Sequence, residues 1–300
     1  RLADNDALRA ALAGGRRVVP VFVLDPALLD GPTSSPTRTA FLLGGLRALD
    51  ADLRARGSRL VVRSGRPVEA LARLLAETGA TAIYAEDDHS PYAARRDGEV
   101  GQRLPLRLVG SSAIRPPGTV LKAGGAPYTV FTPFSRAWLA QPLPAPSDLW
   151  AAPAALPDPG DAASEPLPDT PTLPAAVPFP PGEAEAQRRL RAFAAESIAA
   201  YDLLRDRVDM EGTSRLSPYL RFGMVAPRAA AVAALAAQAE QTGGGAGRWL
   251  NELIWRDFYS HILAHFPHVA RESFRPAARD IDWRNDSWEF IAWCAGETGY

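Results

Sequence analysis

The sequence predicts a two-part molecule, an α/β domain built on a parallel sheet followed by an all-helical domain. Three observations predict it. Short β-branched runs alternate with amphipathic helical stretches up to about residue 139; 13 of the 28 prolines crowd into residues 141–182; and from residue 183 onward the periodicity is helical throughout. At 300 residues the chain is long enough for two cores.

Taken in order, residues 1–13 are already helical in pattern, so a strand is expected to precede them. Runs at 18–24, 60–63, 82–85 and 106–109 are short and apolar, as strands buried on both faces should be. Between them, residues 38–56 and 67–77 have helical spacing, with Leu42, Leu46, Leu49 and Leu53 on one stripe. Such alternation implies parallel strands joined by helices that cover the sheet. Residues 141–182 are aperiodic and read as an extended connection rather than a third domain. The expected domains are therefore 1–139 (α/β), 140–182 (proline-rich linker) and 183–300 (helical). There is no internal repeat.

Composition narrows the function. A net charge of −1 argues against a protein that coats nucleic acid through a general basic surface, so any such contact must come from a local patch. Lys122 is the sole lysine among 33 basic residues, a bias that a GC-rich coding sequence explains, as it does the many alanines. The single cysteine, Cys294, excludes an internal disulfide or a cysteine-cluster metal site. The most apolar run, 225–239, is mostly alanine and is interrupted by Arg228, so no membrane span is expected. With no secretory leader pattern either, a cytoplasmic monomer is expected. Neither G-x-G-x-x-G after a strand nor G-x-x-x-x-G-K-[ST] occurs, which argues against a dinucleotide-dependent dehydrogenase or a P-loop enzyme. The glycine run at 243–247 follows no strand and reads as a loop.

Three constellations carry chemistry. In Gly212-Thr213-Ser214-Arg215-Leu216-Ser217-Pro218, Ser217 and Pro218 look like an N-cap and first helical residue. The hydroxyls of Thr213, Ser214 and Ser217, the Arg215 charge and free N–H groups could receive a diphosphate, although an ordinary capped helix accounts for the same residues. In 249–259 (Trp249-Leu250-Asn251-Glu252-Leu253-Ile254-Trp255-Arg256-Asp257-Phe258-Tyr259), Leu250, Ile254 and Phe258 share one helical face with Ile262. Glu252, Trp255, Arg256 and Tyr259 gather on another, where base stacking, phosphate pairing and hydrogen bonding to a base edge could meet. A Glu252–Arg256 salt bridge with packed aromatics explains that face equally well. Finally, five of the seven tryptophans (Trp249, Trp255, Trp283, Trp288, Trp293) lie beyond residue 245. Most should be core, though a cluster could also pass electrons to a redox cofactor. His261, His265 and His268 have helical spacing but no H-E-x-x-H context; they read as surface or interface residues and no metal is expected.

At these residues the sequence resembles the photolyase/cryptochrome family along its whole length. Arg1-Leu2-Ala3-Asp4-Asn5 resembles the end of the family's R-D-L-R-x-x-D-N opening; Val19-Pro20-Val21-Phe22, Pro91 through Asp97 and Tyr128 through Phe134 resemble its Rossmann-like antenna domain. Glu211 through Ser217, Trp249 through Tyr259, and Trp293-x-x-Gly296-x-Thr298-Gly299-Tyr300 resemble its flavin domain. The resemblance is nearest to bacterial class I enzymes for cyclobutane pyrimidine dimers and implies FAD in the helical domain. Tyr201, Thr213, Ser214, Arg215, Leu216, Ser217, Trp249 and Arg256 would then hold or border the cofactor. Arg205 would contact DNA phosphate, and Glu252, Leu253, Ile254, Trp255, Arg256, Asp257, Phe258 and Tyr259 would face the DNA. Glu252 would hydrogen-bond a base, Trp255 would stack on the flipped dimer, and Trp293 would be the outermost member of an electron-carrying tryptophan chain. The implied activity is light-driven repair of ultraviolet-damaged DNA by electron transfer from reduced FAD; the alternative is a cryptochrome-type photoreceptor without repair. A second antenna chromophore, a deazaflavin or methenyltetrahydrofolate, would sit near Asp88. Because family members continue into further helices, these 300 residues are expected to form an incomplete flavin site, with weak FAD binding or none and no repair on their own.

Overall fold

The computed structural model describes residues 1–14, 17–31, 34–240 and 243–299; Tyr300, the last residue of the C-terminal motif, lies outside them. The first part contains helix α1 (Asp6–Gly14), strand β1 (Val21–Leu24), helices α2 (Pro26–Leu29) and α3 (Pro36–Arg54), β2 (Val61–Ser64), α4 (Pro67–Thr78), β3 (Ile83–Asp87), α5 (Pro91–Arg103), β4 (Leu106–Ser111) and α6 (Phe131–Leu139). The second contains α7 (Glu183–Ala192), α8 (Tyr201–Leu204), α9 (Ser217–Arg221), α10 (Pro227–Glu240), α11 (Gly245–His265) and α12 (Ser287–Ala295).

All four strands fall where the β-branched runs place them. Their pairing differs from a single sheet: β1 pairs with β2 and β3 with β4, both parallel, as two separate ladders. A cavity of about 560 Å³ lies between them, lined by Val19, Val21, Ile83 and Tyr84 among others.

Helix starts follow local rules. Asp25, Ser35 and Ser90 cap α2, α3 and α5 through their side chains, each followed by proline at the first helical position. Helix α3 serves two cores. Leu43, Leu46 and Leu53 enter the α/β core with Leu24 and Val62, while Phe41 meets Tyr219 of the helical part edge-on at 5.4 Å.

The proline-rich connection is strapped to the α/β domain. Arg59 donates to the carbonyls of Gly160 and Ala162, and residues 164–165 pair along β2 through Val62 and Ser64. Leu156 is buried beside Leu53 and Leu60. In α10, Ala230, Ala231, Ala234 and Ala237 are buried, and their small side chains let α10 pack closely on α11. Those alanines have a packing reason that composition alone does not reveal. Among the described residues no helix is long and apolar enough to cross a membrane, and no three His, Cys, Asp or Glu side chains are placed to hold a metal.

Three carboxylates join the halves. Asp257 of α11 is 1% exposed and accepts hydrogen bonds from the Ile114 and Arg115 amides (3.0 and 2.9 Å) and from the Trp138 indole (3.0 Å). Burial pushes its carboxyl above the usual range, against the pull of those three donors. Asp4 and Asp6 receive Arg228 of α10 at 2.6 and 3.2 Å. His261 is buried between α11 and Phe134, which packs on its ring at 5.2 Å; desolvation, with His265 alongside, pushes its pKa down to about 4.

Asp257→Ala should lower the unfolding free energy by about 3–5 kcal/mol, since three buried donors lose their acceptor; a urea-unfolding loss under 1 kcal/mol would contradict the clamp. His261 takes up a proton near pH 6.5 when unfolded but only near 4 when folded. It therefore costs stability as pH falls from about 6.5 toward 4 and has no effect above that window. Thermal unfolding of His261→Gln should show a shallower acid-side decline than the parent, and an unchanged decline would count against the assignment.

Candidate functional site

Helix α11 begins where α8 and the preceding turn approach it most closely. A Cβ at Gly245 would lie 2.1 Å from the Ile198 carbonyl oxygen, so only glycine lets the backbones meet there. Gly212 does the same for the loop at 212–216, where a Cβ would lie 2.7 Å from the Leu204 carbonyl oxygen. The first turns of α11, α8 and this loop are thereby drawn together. Around them Tyr201 is buried edge-on to Phe193 (5.9 Å, 89°), and Trp249 packs on the other side of the same phenyl ring's neighbourhood at 5.1 Å.

On the half-buried face of α11, Glu252 accepts an ion-paired hydrogen bond from Arg205 at the end of α8, and the Arg248 guanidinium lies 4.0 Å away. Arg205 also stands over the Tyr201 ring at 5.8 Å. Burial raises the Tyr201 phenol above its ordinary value, aided by the Glu252 charge. One turn along, Trp255 stacks on Phe131 of α6 with ring centres 3.5 Å apart and planes 5° apart, and Tyr259 lies 5.4 Å from the indole at 24°. Tyr259 is 63% exposed. Glu252, Trp255 and Tyr259 thus form a continuous strip of carboxylate, indole and phenol.

Arg256 leaves that strip. Its guanidinium donates to the Ser112 carbonyl at 2.6 Å, and burial pushes it below its ordinary value. The i,i+4 bridge from Glu252 to Arg256 is replaced by the pair with Arg205. Four other residues expected at the DNA do not reach a surface: Leu253, Ile254 and Phe258 are buried in the helical core, and Asp257 is the interdomain clamp. The helix period explains this, because eight consecutive residues cannot all face one ligand.

The loop at 213–217 presents Thr213 and Ser217 exposed and Ser214 half-buried. Arg215 sits in the left-handed region (φ 50°), with its guanidinium on Glu211. Ser217 is the first residue of α9 rather than its cap; Leu216 precedes it and no side chain caps the helix. The Leu216 side chain is fully buried, so only its backbone could serve a ligand. Three hydroxyls and a guanidinium beside Tyr201 nonetheless make a donor set that fits a diphosphate. Trp249, 4% exposed, offers a ligand no open ring face; it supports the site from beneath.

Trp293 is 67% exposed on α12 and packs on Phe290 at 5.9 Å. Trp283 and Trp288 are exposed as well. Asp88 closes the turn before α5, accepting from the Ser90 amide at 2.9 Å. Phe131, Ser112 and Arg248 are the site residues that sequence reasoning missed. Phe131 lies inside the Tyr128–Phe134 stretch, but its role depends on a contact 124 positions away in sequence with Trp255.

Residues 1–153 match the family model for DNA photolyase, and residues 249–300 that for the FAD binding domain of DNA photolyase. An α/β domain clamped to a helical domain in this way, with those matches, defines the class: the chain belongs to the DNA photolyase family. It is 40% identical over 304 residues to the deoxyribodipyrimidine photo-lyase of Thermus thermophilus and 36% identical over 323 residues to that of a Synechococcus species. In both cases all of this chain aligns with 66% of the relative's length. Among solved structures, a class III photolyase from Agrobacterium tumefaciens superposes with a TM-score of 0.90 at 29% identity, covering all of this chain and 64% of that one. A Synechocystis cryptochrome shares the fold, with a TM-score of 0.84 at 21% identity, again over the whole of this chain and 66% of the other.

If the Arg205–Glu252 pair orients a carboxylate rather than holding the fold, it should matter little to stability. A double-mutant cycle of Arg205→Ala and Glu252→Ala in urea should give a coupling of about 1 kcal/mol or less. A coupling of several kcal/mol would make the pair structural.

Proposed function

We propose that this chain is the antenna-domain and dimer-facing portion of a light-driven lyase that splits cyclobutane pyrimidine dimers in DNA. The observation that carries the reading is the strip on α11, with Glu252 held by Arg205 and followed by the Trp255 indole and the Tyr259 phenol. A carboxylate can accept a hydrogen bond from a base edge, and adjacent aromatic rings can stack on an extruded base. The family match and the photo-lyases at 36–40% identity support the same substrate class. They favour repair over a cryptochrome-type photoreceptor.

Tyr201, Thr213, Ser214, Arg215 and Ser217, with the Leu216 amide, are the residues that would hold FAD. When bound and reduced, FAD supplies the photoexcited electron that opens the cyclobutane ring and that returns afterwards. The protein's own work is binding and orientation. Arg205 holds the Glu252 carboxylate in place through their ion pair, and its other guanidinium N–H groups can still reach a DNA phosphate. Trp255 and Tyr259 hold an unstacked base, and damaged bases are the easier to unstack. Trp293 is the residue that would pass an electron toward the flavin, as the resemblance of its motif implies. Asp88 borders the site proposed for the second chromophore, a deazaflavin or a folate.

The test is repair by the intact, flavin-loaded protein of an oligonucleotide carrying one cyclobutane thymine dimer under blue light. Dimer should disappear only in the light, and Glu252→Ala should slow its loss about tenfold or more at sub-saturating substrate, in line with the loss of one charged hydrogen bond. A protein that holds its flavin yet leaves the dimer intact would overturn the proposal in favour of a photoreceptor.

A further inference from the structure

Phe131 begins α6, on the α/β side of the molecule, and the reading of α11 as the dimer-facing helix does not use it. Yet its ring lies flush on the Trp255 indole, 3.5 Å from centre to centre and 5° from parallel. Aromatic pairs in proteins more often sit offset or edge-on with centres about 4.5–7 Å apart. This contact therefore covers one face of the indole. Tyr259 meets the indole at 5.4 Å and 24° and packs on Phe258 at 5.8 Å.

Phe131 is itself fixed. It stands edge-on to Phe258 (5.7 Å, 75°), and the helix it opens is anchored by the buried Phe134 and Trp138. Trp138 in turn donates to the Asp257 carboxylate of α11. The phenyl ring and the helix that carries Trp255 are therefore parts of one clamped unit. A ring held by two aromatic neighbours and by the helix it opens acts as a backing plate rather than as a mobile plug.

We infer that Phe131 is a positioning residue for the dimer pocket: it closes one face of the Trp255 indole and holds it so that a base meets only the face beside Tyr259 and Glu252. The inference rests on the proposed role of α11. Its physical content is pre-organisation. An indole on a half-exposed helix face otherwise samples several rotamers, and ordering it on binding weakens affinity. The ordering cost of one side chain corresponds to about threefold to tenfold in affinity.

The experiment measures the affinity of the intact, flavin-loaded protein for a duplex carrying a single cyclobutane thymine dimer and for its undamaged counterpart. Phe131→Leu, which keeps an apolar side chain but removes the stack, should weaken dimer binding about threefold to tenfold. Flavin content and affinity for undamaged duplex should not change. Phe131→Tyr, which restores the ring, should recover the parent's affinity. In a Trp255→Ala background Phe131→Leu should have no further effect, because the residue through which it acts is gone. Dimer affinity that is unchanged in Phe131→Leu overturns the inference, as does tighter binding, which would show that Phe131 occupies the base's own place. An effect of Phe131→Leu that persists in full without Trp255 also overturns it, since the role is then structural. Should Trp255→Ala by itself leave dimer affinity untouched, the reading of α11 fails and this inference fails with it.

Discussion

The rest of the structure depends on where one buried carboxylate points. Asp257 sits on α11, but its three donors belong to the other half of the molecule, two amides at 114–115 and the Trp138 indole. A helix lying against a domain can roll about its axis with little change in buried apolar area. A carboxylate that must satisfy three fixed donors in a dry interface cannot roll with it. Asp257 therefore sets the rotation of α11, and that rotation decides which side chains face outward. Arg256, locked on the Ser112 carbonyl, reinforces the same setting.

With the rotation fixed, the remaining steps follow from the helix period. Leu250, Leu253, Ile254 and Phe258 enter the core with α10, whose buried alanines allow close approach. Glu252, Trp255 and Tyr259 are left on the open side. Two of them then acquire a partner that limits their freedom, Arg205 for the carboxylate and Phe131 for the indole. The close backbone approaches at Gly212 and Gly245 bring the hydroxyl-rich loop and Tyr201 up to the first turn of the same helix. Groups suited to a diphosphate and groups suited to a damaged base thus converge on α8 and α11 without sharing residues.

What the sequence reveals here is local, and what it conceals is long-range. The four strands and the apolar stripe of α11 follow from periodicity over a few residues, and the structure places them accordingly. The sequence puts Asp257 among the residues facing the DNA, and its structural role is hidden because its donors lie 119 to 143 positions away. Phe131 escaped for the same reason.

The most direct test is a crystal structure of the intact protein bound to duplex DNA with one cyclobutane thymine dimer. The expected result has the dimer extruded against α11, a Glu252 carboxylate oxygen about 2.6–3.2 Å from a base-edge donor, and Asp257 still gripping residues 114, 115 and 138. A dimer bound on another surface, or one that reaches α11 only after the Asp257 clamp has opened, would contradict it.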